Sequence, residues 1–191
     1  MTPPRRRLLL RSAVVATVLG LAACRPATAD PGGPATGPGT RAPPGAPTTT
    51  AAVETNAVIA HVVDGDTVDV RIDGRGERVR LIGINTPETK DPRRPVECYG
   101  QEASALTTLL LPAGTGVRLE RDVEARDDYG RLLAYVRRSD GLFVNLELAR
   151  QGAAVVLSIR PNTAFAAVIA AAADEARRAG RGLWGACPSS R

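Results

Sequence analysis

The sequence predicts an α+β domain that is mainly β: a small closed barrel of five strands carrying three helices. Three observations predict it. Three apolar segments follow one another between residues 57 and 84 with only tight turns between them. Two more strand-like segments lie at 117–123 and 132–138, joined by the charged turn E-A-R-D-D-Y-G-R. Helical periodicity takes over at 99–111, at 144–151 and again from about 162.

The elements follow in order. Residues 57–63 (A-V-I-A-H-V-V) are apolar and loosely alternating, and Asp64-Gly65-Asp66 breaks them. The next segment alternates strictly, with Val68, Val70 and Ile72 on one face. Asp73-Gly74 is a hairpin signal. Residues 78–84 form the third strand and complete a meander. Residues 99–111 put Ala103, Leu106, Leu109 and Leu110 on one helical face, and 112–116 terminate it. The helix at 144–151 is expected to take Asn145 as its N-cap and to stop at Gly152. The last helix is expected to start near Asn162 or Thr163, to bury a stripe of Phe165, Val168, Ile169, Ala172 and Ala176, and to end at Gly180. Trp184 is expected to anchor the C-terminal tail on the core rather than to stack on a base. Five strands, with one helix after the third and more helix after the fifth, suit the five-stranded OB-fold Greek-key barrel.

The barrel does not account for the whole chain. Arg5, Arg6 and Arg7 precede an uncharged apolar run that suits a signal peptide and is too short to cross a bilayer comfortably as a helix. The run ends Leu21-Ala22-Ala23-Cys24. Small residues before a cysteine resemble a bacterial lipobox, which makes residues 1–23 a lipoprotein-type signal and Cys24 the lipid-bearing residue anchored in a membrane. An ordinary secretory signal cleaved nearby is the alternative, and the paired arginines leave open whether export is twin-arginine. Residues 24–55 hold seven of the 15 prolines, five glycines and no aromatic residue. Such a linker cannot bury enough apolar surface to offset its ordering entropy. Residues 56–187 then form the domain and 188–191 a tail. The protein is expected to be membrane-anchored on the extracytoplasmic side, or secreted.

The net charge of +5 belongs to the leader and linker. Six of the 25 cations and one of the 20 anions precede residue 54, which leaves 19 of each from residue 54 onward. A nucleic-acid partner would therefore have to meet a local patch rather than bulk charge. There is no internal repeat and no glycine-rich phosphate loop. With Cys24 assigned to lipid, Cys98 and Cys187 remain. Export favours a disulfide between them, provided the fold brings their Cα atoms within about 7 Å. Oligomeric state is not legible; a monomer without an obligate protein partner is the default.

The stretch R-L-I-G-I-N-T-P-E-T-K concentrates the chemistry. Arg80 lies in the third strand, Asn85 and Thr86 end it, and Glu88 follows Pro87. In a meander, the start of the second strand and the end of the third share one end of the sheet. Asp66 is thus expected beside Asn85 and Thr86. Their oxygens are hard donors that suit Ca²⁺ or Mg²⁺, not zinc. The single histidine, His61, stands alone in the first strand. A carboxylate beside such a cation, Glu88, can orient and deprotonate water. Arg80 and Arg131 supply planar forks that match phosphate oxygens. Together these are the parts for attack of water on a phosphodiester. Taken singly, each has a structural explanation as a turn residue, loop acid or strand-edge charge.

The motifs D-G-D-T, R-L-I-G-I-N-T-P-E-T-K, Y-G-Q-E-A-S, D-Y-G-R-L-L-A-Y, V-N-L-E-L-A-R-Q-G and G-L-W occur in this order. In this the chain resembles the staphylococcal nuclease (thermonuclease) family over essentially the whole domain. The resemblance implies an OB-fold barrel with three helices and a Ca²⁺-dependent nuclease. It implies action on DNA and RNA, cleavage of the P–O5′ bond and 3′-phosphate ends. It implies Asp66 and Thr86 as metal ligands, Glu88 as general base, and Arg80 and Arg131 as the phosphate and transition-state arginines. Tyr129 falls where the family contacts the nucleotide, and Lys90, Arg93 and Arg94 in a basic loop that can meet the substrate backbone. Three departures stand out. Asn85 replaces a second metal-binding aspartate, Asp128 a lysine near the terminal phosphate, and a nucleotide-stacking tyrosine is missing around Leu157 and Ser158. These imply weaker Ca²⁺ binding and looser nucleotide affinity. A non-catalytic OB-fold module that binds nucleic acid or protein is the alternative; retention of Asp66, Arg80, Glu88 and Arg131 together favours the enzyme.

Overall fold

The computed structural model describes residues 52–187; the signal segment, Cys24, the linker as far as residue 51 and the tail at 188–191 lie outside the described residues. Strands β1 (Ala57–Asp64), β2 (Thr67–Ile72) and β3 (Arg75–Leu81) form an antiparallel meander. Asp73 and Gly74 turn between β2 and β3 with φ of 49° and 79°, the paired positive values a two-residue type I′ hairpin requires. There follow β4 (Gly83–Asn85), helix α1 (Gly100–Leu110), β5 (Gly116–Glu120) and β6 (Leu132–Arg138). Then come α2 (Val144–Arg150), β7 (Val155–Leu157), α3 (Ala166–Arg178) and the single turn α4 (Leu183–Ala186).

The barrel closes in the order β1-β2-β3-β6-β5, with β5 returning to β1. Every pairing is antiparallel except β3 with β6, which is parallel. This is the five-stranded mixed barrel with three main helices that the strand pattern predicts. Val68, Val70, Val79, Leu81, Val117 and Val136 fill it and are wholly buried. Each such side chain contributes about 1.5–3 kcal/mol relative to exposure. Tyr135, Phe143 and Phe165 pack edge-to-face beside it, with ring centroids 4.7 to 6.0 Å apart.

Several expected details differ. The third strand does not run unbroken to residue 84. Gly83 adopts φ 85°, and a Cβ there would lie 2.7 Å from Ile169 Cδ1. That left-handed conformation, which glycine adopts without strain, turns the chain out of the barrel, and β4 pairs with β7 instead. The strand expected at 117–123 ends at Glu120. Beyond it, the Asp122 carboxylate accepts from the Tyr135 hydroxyl at 3.2 Å and the Ala164 N–H at 2.8 Å. Asn145 is not an N-cap; Phe143 holds that position. Asn145 is fully buried: its Oδ1 accepts from the Val136 N–H at 2.8 Å, and its Nδ2 donates to the Ile82 carbonyl at 2.9 Å. It stitches α2 to β6 and to the β3–β4 break. The last helix starts at Ala166 because Asn162 is engaged elsewhere, exchanging two hydrogen bonds with the Glu124 backbone. Val168 and Leu109, expected to be buried, are 45% and 74% exposed. Trp184 is half-buried, while Leu183 beside it is buried.

Candidate active site

The break at Gly83 aims β4 across the open end of the meander. Thr86, just past β4, donates its backbone N–H to Asp66 Oδ2 at 2.8 Å. That approach needs Gly65: a Cβ there would fall 2.6 Å from Thr86 Oγ1. Helix α1 holds the same turn from behind, because Thr107 Oγ1 donates to the Gly65 carbonyl at 2.7 Å. Asp66 is therefore fixed by strand, turn and helix together.

Parallel pairing brings in the arginines. Val79 lies opposite Leu132 and Arg80 opposite Leu133, so Arg131, at the entry to β6, arrives beside Arg80 from the other end of the sequence. The Arg80 guanidinium is largely buried. Its Nη2 lies 3.0 Å from Asp66 Oδ2 and 3.0 Å from Asn85 Oδ1, and its Nη1 donates to the Leu81 carbonyl. Asp127 holds Arg131 at both ends: its Oδ2 accepts from Arg131 Nε at 2.7 Å and its Oδ1 from the Arg131 N–H at 2.9 Å. The Arg131 guanidinium stacks 5.5 Å from the centroid of the Tyr129 ring, which is 86% exposed.

Asp66, Arg80, Asn85, Thr86, Glu88 and Arg131 all face one cleft of about 620 Å³, joined by Tyr129 and Arg94. Lys90 and Arg93 do not line it. Lys90 is exposed, and Arg93 is tied to Asp91 through Nε at 2.9 Å and Nη2 at 3.0 Å. Asp128 lines the cleft, as does Leu157 on β7. Cys98 and Cys187 are bonded, with Cα atoms 6.0 Å apart. Cys24 lies outside the described residues.

Burial sets the electrostatics. Desolvation raises the Asp66 carboxyl above its ordinary pKa, against the opposing pull of Arg80 and the Thr86 N–H, and Asp64 raises it further. Desolvation also lowers Arg80 below the usual guanidinium value, and the nearby Arg131 charge adds to this. Both shifts say that the pair's attraction does not fully repay its burial. Glu88 is the reverse case. Its Oε1 accepts backbone N–H groups from Lys90 at 2.6 Å, Thr89 at 2.8 Å and Asp91 at 3.2 Å, and these hold its pKa below the ordinary value. Among the described residues no hydrogen bond reaches Glu88 Oε2, so one carboxylate oxygen is left for a water.

The donor chemistry fits a hard divalent cation. Among the described residues there is no cluster of three His, Cys, Asp or Glu side chains. The oxygens gathered here come instead from Asp64, Asp66, Asn85 and Thr86. Like charge on Asp64 and burial both disfavour the Asp66 carboxylate, and a dication offsets both.

Sequence reasoning missed two residues that hold this site together. Asp127 carries a signal, since an Asp two residues before Tyr129 and four before Arg131 is a local turn former. Glu97, whose Oε2 accepts the Glu88 N–H at 2.9 Å, carries none.

The family model described as staphylococcal nuclease homologue matches residues 78–186. The chain is 43% identical over 127 residues to the thermonuclease of Staphylococcus intermedius, covering 66% of this chain and 74% of that protein. It is 40% identical over 126 residues to the thermonuclease of Staphylococcus hyicus, covering 66% and 73%. It is 40% identical over 112 residues to endonuclease YncB of Bacillus subtilis, covering 58% and 52%. The match runs from Arg78, within β3, to Ala186 at the end of α4 and takes in both arginines, and the chain belongs to the family of staphylococcal nuclease homologues.

Proposed function

We propose that the chain is a divalent-cation-dependent nuclease that hydrolyses phosphodiester bonds in DNA and RNA and leaves 3′-phosphate ends, with Ca²⁺ as the cation. What supports this most is the meeting of Arg80 and Arg131 with Asp66 and Glu88 in one cleft. Relatives named thermonuclease and endonuclease support the class of reaction. Asp66, Asn85 and Thr86 would hold the cation, which supplies positive charge to the phosphoryl oxygens and to an attacking water. Arg80 and Arg131 grip the scissile phosphate, and their charge is worth most where charge develops in the transition state. Glu88 takes the proton of the attacking water through Oε2. A water oxygen bonds to phosphorus, the P–O5′ bond breaks, and the 5′ oxygen leaves as a hydroxyl, taking its proton from solvent water. Tyr129, its ring exposed at the rim, meets the nucleotide. Arg94, and beyond it Lys90 and Arg93, offer charge to the more distant backbone.

The deciding experiment is digestion of plasmid DNA and of RNA by the full chain. Cleavage of both in Ca²⁺, its loss in EGTA and its return on adding Ca²⁺ are expected, with 3′-phosphate ends by end-group analysis. Undiminished cleavage in EGTA would overturn the Ca²⁺ assignment, and no cleavage of either polymer the function.

We also infer export, with residues 1–23 removed and Cys24 lipidated, so that the domain works as a monomer at the outer face of the membrane. Mass spectrometry of the membrane-extracted protein is expected to find a diacylglyceryl group on Cys24. An unmodified N-terminus in the medium would point to simple secretion.

A further inference from the structure

Nothing between Pro87 and Cys98 is buried. Val96, the one aliphatic residue in that stretch, is 50% exposed. Apart from the Thr89 methyl, which lies against Gly100, the loop that carries Glu88 therefore has little apolar packing to fix it, and polar contacts must do most of the work. Inside the loop, Glu88 folds its carboxylate back onto the N–H groups of residues 89–91. The aim of that carboxylate is thus set by where the local backbone lies.

At the neck of the loop two bonds close the chain on itself. The Glu88 N–H donates to Glu97 Oε2 at 2.9 Å, and the Glu97 N–H donates to the Glu88 carbonyl at 2.9 Å. The segment that follows Glu97 is itself fixed. Cys98 is bonded to Cys187, 89 residues away. Gly100, buried at the start of α1, presses on the loop: a Cβ there would lie 3.2 Å from the carbonyl oxygens of both Pro87 and Glu88. Glu97 is the link between this anchored segment and the backbone of Glu88.

We propose that Glu97 is a positioning residue for Glu88, gripping the base's own peptide from a segment anchored by the Cys98–Cys187 bond. Its effect on turnover rests on the nuclease function proposed above; its effect on the loop does not. Loss of the grip leaves substrate binding by Arg80 and Arg131 intact and misplaces only the base. Displacements of about 1 Å in reacting groups cost up to about 10²-fold in rate.

The experiment compares Glu97→Ala with Glu97→Gln in the disulfide-bonded full chain. Gln keeps a side-chain oxygen that can accept the Glu88 N–H but carries no charge. In Glu97→Ala, kcat on DNA is expected to fall about tenfold with KM within twofold of the parent. Glu97→Gln is expected to recover to within about twofold in kcat. Amide exchange of Glu88, followed by NMR without substrate, is expected to quicken about tenfold in Glu97→Ala and not in Glu97→Gln. Equal loss in both variants would assign the effect to charge and overturn the proposal. So would unchanged kcat and exchange in Glu97→Ala, or a loss carried by KM. If exchange responds as expected but no form of the protein cuts nucleic acid, the grip stands and the nuclease function falls.

Discussion

Arg80 and Asp66 form an ion pair from which water is almost excluded: Nη2 lies 3.0 Å from Oδ2, and the side chains are 11% and 8% exposed. The same nitrogen lies 3.0 Å from Asn85 Oδ1. One guanidinium therefore spans two of the oxygens proposed to hold the cation, and stability and chemistry share the same atoms.

Replacing one partner leaves the other charged and buried. Arg80→Met is expected to lower the unfolding free energy by about 3 kcal/mol, and Arg80→Met with Asp66→Asn by less than the sum of the two single changes. Urea denaturation of the four proteins measures this. A coupling under about 0.5 kcal/mol would show that the pair contributes little to the fold.

Glu88→Gln keeps the shape of the proposed base and removes its proton affinity. Arg131→Ala removes a proposed donor to the phosphate. Each is expected to reduce turnover by about 10²-fold or more. Asp127→Ala, which frees Arg131 at both of its anchored ends, is expected to cost about tenfold. Steady-state kinetics on a defined oligonucleotide test all three, and losses of only a few-fold in the first two would mean the roles are misassigned.

Asn85 offers an oxygen without a charge. Asn85→Asp is expected to shift the Ca²⁺ concentration for half-maximal activity down by about tenfold, equivalent to about 1.4 kcal/mol. Titration of activity against buffered Ca²⁺ reads it directly. An unchanged midpoint would separate residue 85 from cation binding.

The bond between Cys98 and Cys187 closes a loop of 89 residues. In the chain-entropy model that is worth up to about 4.5 kcal/mol. The double variant Cys98→Ser, Cys187→Ser is expected to lose a large part of that in urea unfolding. Non-reducing peptide mapping of the parent is expected to yield the linked pair of peptides, and two free thiols there would refute the bond.

Acid is expected to weaken the barrel through its surface carboxylates. A hydrogen bond from Arg78 holds Asp69 below its ordinary pKa, and one from Arg126 does the same for Glu77. In both, the folded protein binds fewer protons than the unfolded chain at the same pH. Their stabilisation is therefore complete above the ordinary carboxylate values of about 4 and is lost as pH falls through the depressed folded values. Urea unfolding between pH 2 and 6 is expected to show that loss, with a shallower slope in Asp69→Asn. Identical slopes would exclude Asp69 as a contributor.

The sequence showed the fold where a local signal carries it. Strict alternation gave β2, Asp73-Gly74 gave the hairpin, and the N-T-P-E run marked the end of a strand. It misled where tertiary packing decides. Gly83 reads as a strand residue, yet it adopts φ 85°, and the chain turns there so that β4 pairs with β7, far along the chain. Asn145 reads as a cap because Asn favours that position, yet its amide serves the backbones of Val136 and Ile82, the latter 63 positions away. The site divides the same way. Asp66, Arg80 and Glu88 cluster within 23 residues and announce themselves. Glu97 makes a contact that no spacing rule describes, so only the folded chain reveals it.

The lone parallel join, β3 to β6, has a temporal consequence. The β1–β3 meander is built from neighbours in sequence and can assemble early, carrying Arg80 and Asp66 with it. Arg131 arrives only when β6 docks across more than fifty intervening residues, a slow, non-local event. A nascent chain that has folded its first hairpins would thus hold only one of the two arginines proposed to grip phosphate until the barrel shuts.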